Sequence, residues 1–249
     1  MTDHPIPVSH PADPTPSYRY HLPRWLTVGL PVLMLVYPFI LMIPGFNWEE
    51  GLDREFGLVE NLTALFLFVA FIVALRALPY RIGPLHGVWL VLMALGALVF
   101  CGEEISWGQH FFGWATPEKM MELNRQHETN IHNLNGTVEY IFTKVLRNAL
   151  STGAIVGGLV IPYICRRRKS TFAPCDYKFW LWPSQSSALV GVLVNVVGVP
   201  NKLANHFDAV FPSYLGVLVG ELKEAFIALF ILLYVLTQYW VAKSLKTGK

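Results

Sequence analysis

The chain has 249 residues, of which 53% are hydrophobic and only 14% charged, with a formal net charge of +2 and a mean hydropathy of +0.42. Soluble domains carry about 25% charged residues, so this composition excludes an ordinary secreted or cytosolic domain, and the small net charge excludes a nucleic-acid binder. Cys101, Cys165 and Cys175 are odd in number and lack metal-ligand spacing, which argues against a disulfide scaffold.

The charge deficit is concentrated in long apolar runs separated by short polar segments, the pattern of an all-α integral membrane bundle. Residues 1–23 hold Pro5, Pro7, Pro11, Pro14 and Pro16 with few apolar side chains. They are expected to form a disordered cytoplasmic tail. A single transmembrane domain follows over 24–243, and 244–249 read as a short basic tail.

Six spans are expected, at 25–46, 57–78, 85–106, 137–165, 179–199 and 213–241. The first is too long for a signal-peptide core and lacks a small-residue cleavage site, so it reads as an uncleaved helix. Pro31 and Pro38 predict kinks in it. The fourth and sixth runs exceed the roughly 20 residues that one crossing needs, so their early, charged parts should project beyond the hydrocarbon. Glu139, Lys144 and Arg147 crowd the one; Glu221, Lys223 and Glu224 crowd the other.

Basic residues set the expected orientation. With both termini cytoplasmic, the inner segments carry Arg19, Arg24, Arg76, Arg81, Arg166, Arg167, Arg168, Lys169, Lys178, Lys243, Lys246 and Lys249, against only Asp3, Asp13 and Asp176. The expected localisation is therefore multi-pass in a bacterial inner membrane. His86 falls on the cytoplasmic side in this arrangement.

The polar residues then gather at the opposite, extracytoplasmic surface. Glu60 and Asn61 open the second span, while Glu103 and Glu104 close the third, where the helix dipole repels anions. Two adjacent carboxylates in that position call for a cation, a shared proton or a basic neighbour. Trp107, Phe111, Phe112 and Trp114 follow and suit an aromatic belt at headgroup level.

Between the third and fourth spans, 107–136 form an amphipathic or re-entrant polar segment. Thr116-Pro117-Glu118 reads as a helix start, with Thr116 as N-cap. If the helix runs on through ELNRQHETNIHNLN, then Asn124, Glu128, His132 and Asn135 share one face, with Glu128 and His132 one turn apart. A carboxylate and an imidazole so placed can ligate a metal, or act as a base and its orienting partner.

The candidate catalytic residues are therefore Glu103, Glu104, Glu128 and His132. The same four are candidate ligands for a divalent metal, with His110, His127 or His206 as supplementary ligands. Gln109, Asn124, Asn130, Asn133, Glu60 and Asn61 are candidate substrate-binding residues, because amides near lipid commonly orient a ligand.

The strings Glu103-Glu104-Ile105-Ser106-Trp107-Gly108-Gln109 and Asn124-Arg125-Gln126-His127-Glu128-Thr129-Asn130-Ile131-His132-Asn133 resemble a signature of uncharacterised bacterial polytopic membrane proteins. That resemblance covers roughly residues 100–135 and implies no particular reaction. Glu103 and Glu104 are also similar to the paired acids of the CAAX-prenyl endopeptidase type of intramembrane enzyme. The likeness stops at those two residues, since Gly108 stands where that motif has arginine and no Phe-x-x-x-His follows.

Three functional readings result. The first is a metal- or carboxylate-dependent hydrolase or transferase acting on a lipid or other amphiphile at the outer leaflet, with the bilayer and that amphiphile as partners. The second is a non-catalytic assembly or lipid-binding subunit. The third is an ion-coupled transporter, for which the outward clustering of acids and the lack of internal repeats are unfavourable.

Overall fold

The computed structural model describes residues 19–41, 57–124, 127–199, 202, 206 and 213–247. Residues 1–18 of the expected tail at 1–23, and the outer part of the first span, 42–46, lie outside the described residues; within 19–23, Leu22 is buried and its N–H donates to Ser186 Oγ at 3.0 Å. Every regular element among those described is helical, as the apolar runs imply.

The first helix, α1 (Leu30–Leu41), is entered through a π-turn at Trp25–Gly29. Pro31 supplies no N–H to the preceding turn, and the wider turn absorbs that loss. Helix α2 (Leu58–Ala77) runs through a 3-10 turn at Leu78–Tyr80, and α3 (Pro84–Glu104) follows it. Pro84 takes the first position of α3, where no N–H is needed. Two short helices come next, α4 (Gln109–Phe112) and α5 (Glu118–Leu123).

From Thr137 the chain is helical to Arg167: α6 (Thr137–Glu139), a π-turn (Tyr140–Leu146), α7 (Arg147–Ile155), a second π-turn (Val156–Val160) and α8 (Ile161–Arg167). The second π-turn precedes Pro162, so the missing proline N–H again has a local cause and remedy. Helices α9 (Tyr177–Leu181), α10 (Ala188–Val196) and α11 (Ser213–Thr247) complete the chain.

Among the described residues, four helical stretches are long and apolar enough to cross a membrane: Leu58–Tyr80, Pro84–Glu104, Arg147–Arg167 and Val219–Thr247. The protein is thus an all-helical chain with several membrane-compatible helices. The apolar helix at Trp25–Tyr37 is shorter. The expected fifth span, 179–199, is not one helix. Pro183 and the serines around it divide it into α9, a 3-10 turn at Gln185–Ser187 and α10. At 1.5 Å per residue α10 is only about 13 Å long, far short of a bilayer core of about 30 Å. The expected basic tail is also shorter, because α11 carries on to Thr247.

Helix α11 lies at the centre. In its apolar window 72% of residues are buried inside the protein, against 33–39% in the other three long helices. Ala225, Phe226, Leu229, Leu233 and Val235 are fully enclosed. Helix α2 packs along both α11 and α3. Its contact face carries Ala70, Ala74 and Ala77, all fully buried, and small side chains let helix backbones approach where lipid offers no hydrophobic drive. Gly191 plays the same part between α10 and α7, because a Cβ there would stand 2.5 Å from the Ala154 carbonyl oxygen. The outer faces of α2 and α3 expose Leu65, Phe68, Leu75, Val88, Leu92 and Leu95. Such an uninterrupted apolar surface suits hydrocarbon surroundings.

One end of the bundle is tied by a buried polar chain. Trp89 Nε1 donates to Tyr234 Oη at 2.6 Å, which donates onward to the Leu181 carbonyl at 2.9 Å. Gln238 Nε2 donates to the Trp180 carbonyl. His86 is buried within the protein, its ring 4.8 Å from that of Trp180. These bonds hold the end of α9 against α3 and α11, where its last carbonyls would otherwise lack partners.

Candidate functional site

The polar residues meet at the opposite end, where α3 stops. After Glu104 the chain passes through Ser106 (φ 46°), Trp107 (φ 56°) and Gly108 (φ 92°), three successive left-handed residues of which two are not glycine. Non-glycine residues pay for that conformation, and such strain persists only where surrounding contacts over-determine it. Here they do. Trp107 Nε1 donates to Glu103 Oε1 at 2.8 Å, and its ring lies across Gly102, where a Cβ would stand 2.7 Å from it. Ser106 is buried, and its Oγ donates to Glu128 Oε2 at 2.5 Å.

The expected long helix through 118–135 does not form. Helix α5 ends at Leu123, and 127–136 make a compact turn that folds back beneath the end of α3. Asparagine side chains competing with the backbone are the cause. Asn124 Nδ2 donates to both the carbonyl and Oδ1 of Asn130, and Asn124 Oδ1 accepts the Glu128 N–H. Thr116 is not the N-cap of α5, a position Pro117 holds. Its hydroxyl donates to the His127 carbonyl and accepts from Gln109 Nε2, while Gln109 Oε1 accepts the Thr129 N–H.

Glu128 and His132 therefore do not share a helical face, and the four leading candidates separate into two groups. In the first, Glu103 Oε2 accepts the backbone N–H groups of Ile131 (2.6 Å) and His132 (2.9 Å) and lies 3.5 Å from His132 Nδ1. Glu103 is 2% exposed. Its position against the helix dipole is answered by two loop N–H groups and an indole rather than by a cation. In the second group, Glu128 Oε1 pairs with His110 Nε2 at 2.9 Å, and Oε2 accepts from Ser106 and from Asn130 Nδ2 at 2.7 Å.

Glu104 points elsewhere than its neighbour. Residues adjacent on a helix do not share a face, so Glu103 seats the loop while Glu104 takes no hydrogen bond from any described residue. Both line a cavity of about 60 Å³, together with His132, Arg147 and Glu224. The volume suffices for water. Arg147 and Glu224 are ion-paired across it, joining α7 to α11. The remaining wall is apolar and includes Phe100, Leu150, Ile227 and Ile231. Glu60 and Glu221 lie near enough to Glu104 for their charges to repel, and Arg147 near enough to attract.

The other candidates are placed as follows. Glu60 sits in the first turn of α2, where Asn61 Nδ2 donates to the Gly57 carbonyl at 3.0 Å. Gln109, Asn124 and Asn130 spend their amides on the loop, which makes them positioning residues. Asn133 is half-buried in the same turn. His127, at φ 58°, holds the Met121 carbonyl through Nδ1 and is exposed. His206 is exposed and does not line the cavity. Among the described residues no three His, Cys, Asp or Glu side chains gather at metal-binding spacing.

Sequence reasoning passed over Ser106, Thr116 and Trp107 as parts of the site, and Arg147 and Glu224 as cavity walls. Ser106 gave a signal, lying between the acid pair and two glycines. Comparison with protein-family models, curated proteins and solved structures finds no match to this chain.

Proposed function

We propose that the protein is a membrane enzyme, a carboxylate- and histidine-dependent hydrolase or transferase whose substrate is a lipid or other amphiphile. The observation that carries this reading is the shared cavity of Glu103, Glu104 and His132 between apolar helix faces. Glu103, held by three N–H donors, is the orienting partner of His132. Glu104 is the carboxylate left available to substrate.

In this mechanism His132 takes a proton from a water, or from an acceptor alcohol in a transfer. The oxygen attacks the electrophilic centre of the headgroup linkage, the bond to the leaving group breaks, and the His132 imidazolium returns the proton to that group. Apolar walls exclude bulk water and strengthen the local electrostatics.

Six membrane segments belong to the proposal: the four long apolar helices, the shorter helix at Trp25–Leu41 and the broken segment at 177–196. The stretch at 107–136 then lies on, or dips into, the extracytoplasmic surface, with both termini in the cytoplasm. The distribution of arginine and lysine supports this orientation, and exposed Trp107, Phe111, Phe112 and Trp114 suit an interface.

The test is turnover of headgroup-varied lipids in proteoliposomes, read by mass spectrometry. Wild type should convert one headgroup class, while folded His132→Ala should lose at least about 100-fold, the usual scale for general acid–base groups, and folded Glu104→Gln should lose turnover through weaker substrate binding. Full turnover in both folded variants, or no conversion of any class by wild type, overturns the proposal. A structural role is the competing reading, and the Glu128 cluster favours it because its amides are all committed to holding the loop.

A further inference from the structure

Beside the polar cavity lies a second, larger space. It is a gap of about 450 Å³ between α3 and the α7–α8 run, floored by α11. This is within the range of ligand pockets, about 300–1,000 Å³. Helices α3 and α7 barely touch one another: α3 packs chiefly along α2, and α7 along α10. Gly96 on one wall and Gly153 on the other face open space, with no atom within 4 Å of where a Cβ would stand.

The gap and the polar cavity adjoin each other. Phe100, Leu150, Ile227 and Ile231 line both. A molecule occupying both spaces must therefore be apolar along most of its length and polar at one end. The sign of that end follows from the cavity charges. Arg147 is paired with Glu224, and Glu103 is held by N–H donors. Glu104 remains, with Glu60 and Glu221 nearby; the cation that acts on it, Arg147, is already paired with Glu224. Several acids set against one guanidinium that is already paired, beside apolar walls, favour a cation, against which they can ionise, over a phosphate.

We propose that the gap between α3 and α7 holds the hydrocarbon chain of a membrane amphiphile with a cationic amine headgroup, the amine seated against Glu104. This rests on the proposed substrate site and names its substrate class. The chain enters sideways from the bilayer between α3 and α7, so the headgroup reaches the acids without crossing a polar barrier.

The full-length protein in phosphatidylcholine nanodiscs is photolabelled with a long-chain alkylamine carrying a diazirine in mid-chain. Matched chains ending in a phosphate and in a hydroxyl serve as controls. The amine probe should label peptides from 89–100 and 149–161, with at least about a fivefold preference over the phosphate probe, the scale of one partly buried charge contact. Gly153→Leu and Gly96→Leu fill the gap from opposite walls. Either one, with unfolding temperature unchanged, should cut labelling about fivefold, and Glu104→Gln should remove the preference for the amine.

Labelling unaffected by a folded gap-filling variant, labelling confined to the outer faces around Phe68 and Leu92, or equal labelling by the phosphate probe overturns the inference. Because labelling reads occupancy and not turnover, the two proposals fail separately. A labelled gap without conversion of any lipid counts against the enzyme alone, and conversion with an unlabelled gap counts against the amine-lipid site alone.

Discussion

Glu103 Oε2 accepts the backbone N–H of Ile131 at 2.6 Å, joining the last turn of α3 to a loop 28 residues further along the chain. The same oxygen takes the N–H of His132. One carboxylate thereby fixes the backbone on which the candidate base is mounted.

Removing that carboxylate should release the loop. Glu103→Ala removes three part-buried bonds to a carboxylate, from two amides and the Trp107 indole, each worth about 1.5–3 kcal/mol. Hydrogen exchange should accelerate across 127–136 while the centre of α11 stays protected. Glu103→Gln, which keeps an acceptor oxygen, should show a smaller change. Unchanged exchange in the alanine variant would remove Glu103 from this role.

Ser106 and Asn130 should be energetically coupled. Both bond to Glu128 Oε2, and Asn130 Nδ2 also donates to Ser106 Oγ at 2.9 Å. Ser106→Ala and Asn130→Ala should each destabilise the protein by about 1–2 kcal/mol. The double variant should fall short of their sum by about 0.5–1 kcal/mol, as expected for members of one network. Strict additivity in thermal unfolding would argue against a shared acceptor.

Gly102 is the seat of an indole. A methyl group at Gly102→Ala would meet the Trp107 ring at 2.7 Å, so the ring must shift and its bond to Glu103 must lengthen. Overpacking of this kind costs about 1–3 kcal/mol. A changed tryptophan emission with a lowered unfolding temperature is expected, and neither change should occur in Gly96→Ala.

The far end of the bundle offers an independent measurement. Tyr234→Phe deletes a hydroxyl that accepts from Trp89 and donates to the Leu181 carbonyl. Two buried groups lose their partner, for a destabilisation of about 2–4 kcal/mol. Loop exchange at 127–136 should not respond, because the two polar clusters share no side chain.

Much of this architecture is legible in the residues themselves. Uninterrupted apolar runs announce α2, α3 and α11, and the late start of the apolar part of the fourth run, after Arg147, matches the observed Arg147–Arg167 stretch. The run at 179–199 misleads because hydropathy does not register that Pro183 and its serines end a helix. The loop at 124–136 misleads for a different reason. Periodicity places Glu128 beneath His132, whereas Asn124 and Asn130 bond to each other and close a turn instead. Adjacency of Glu103 and Glu104 suggests one shared task, but a helix turns successive residues apart, and the two carboxylates serve different neighbours.

The enclosure of α11 has a consequence for biogenesis. The ribosome delivers α2 and α3 well before the helix that fills the space between them and their later neighbours, and chains commit to structure from the N-terminal side first. Their alanine-lined faces must therefore wait in lipid, or against an insertion chaperone, until the central strut emerges.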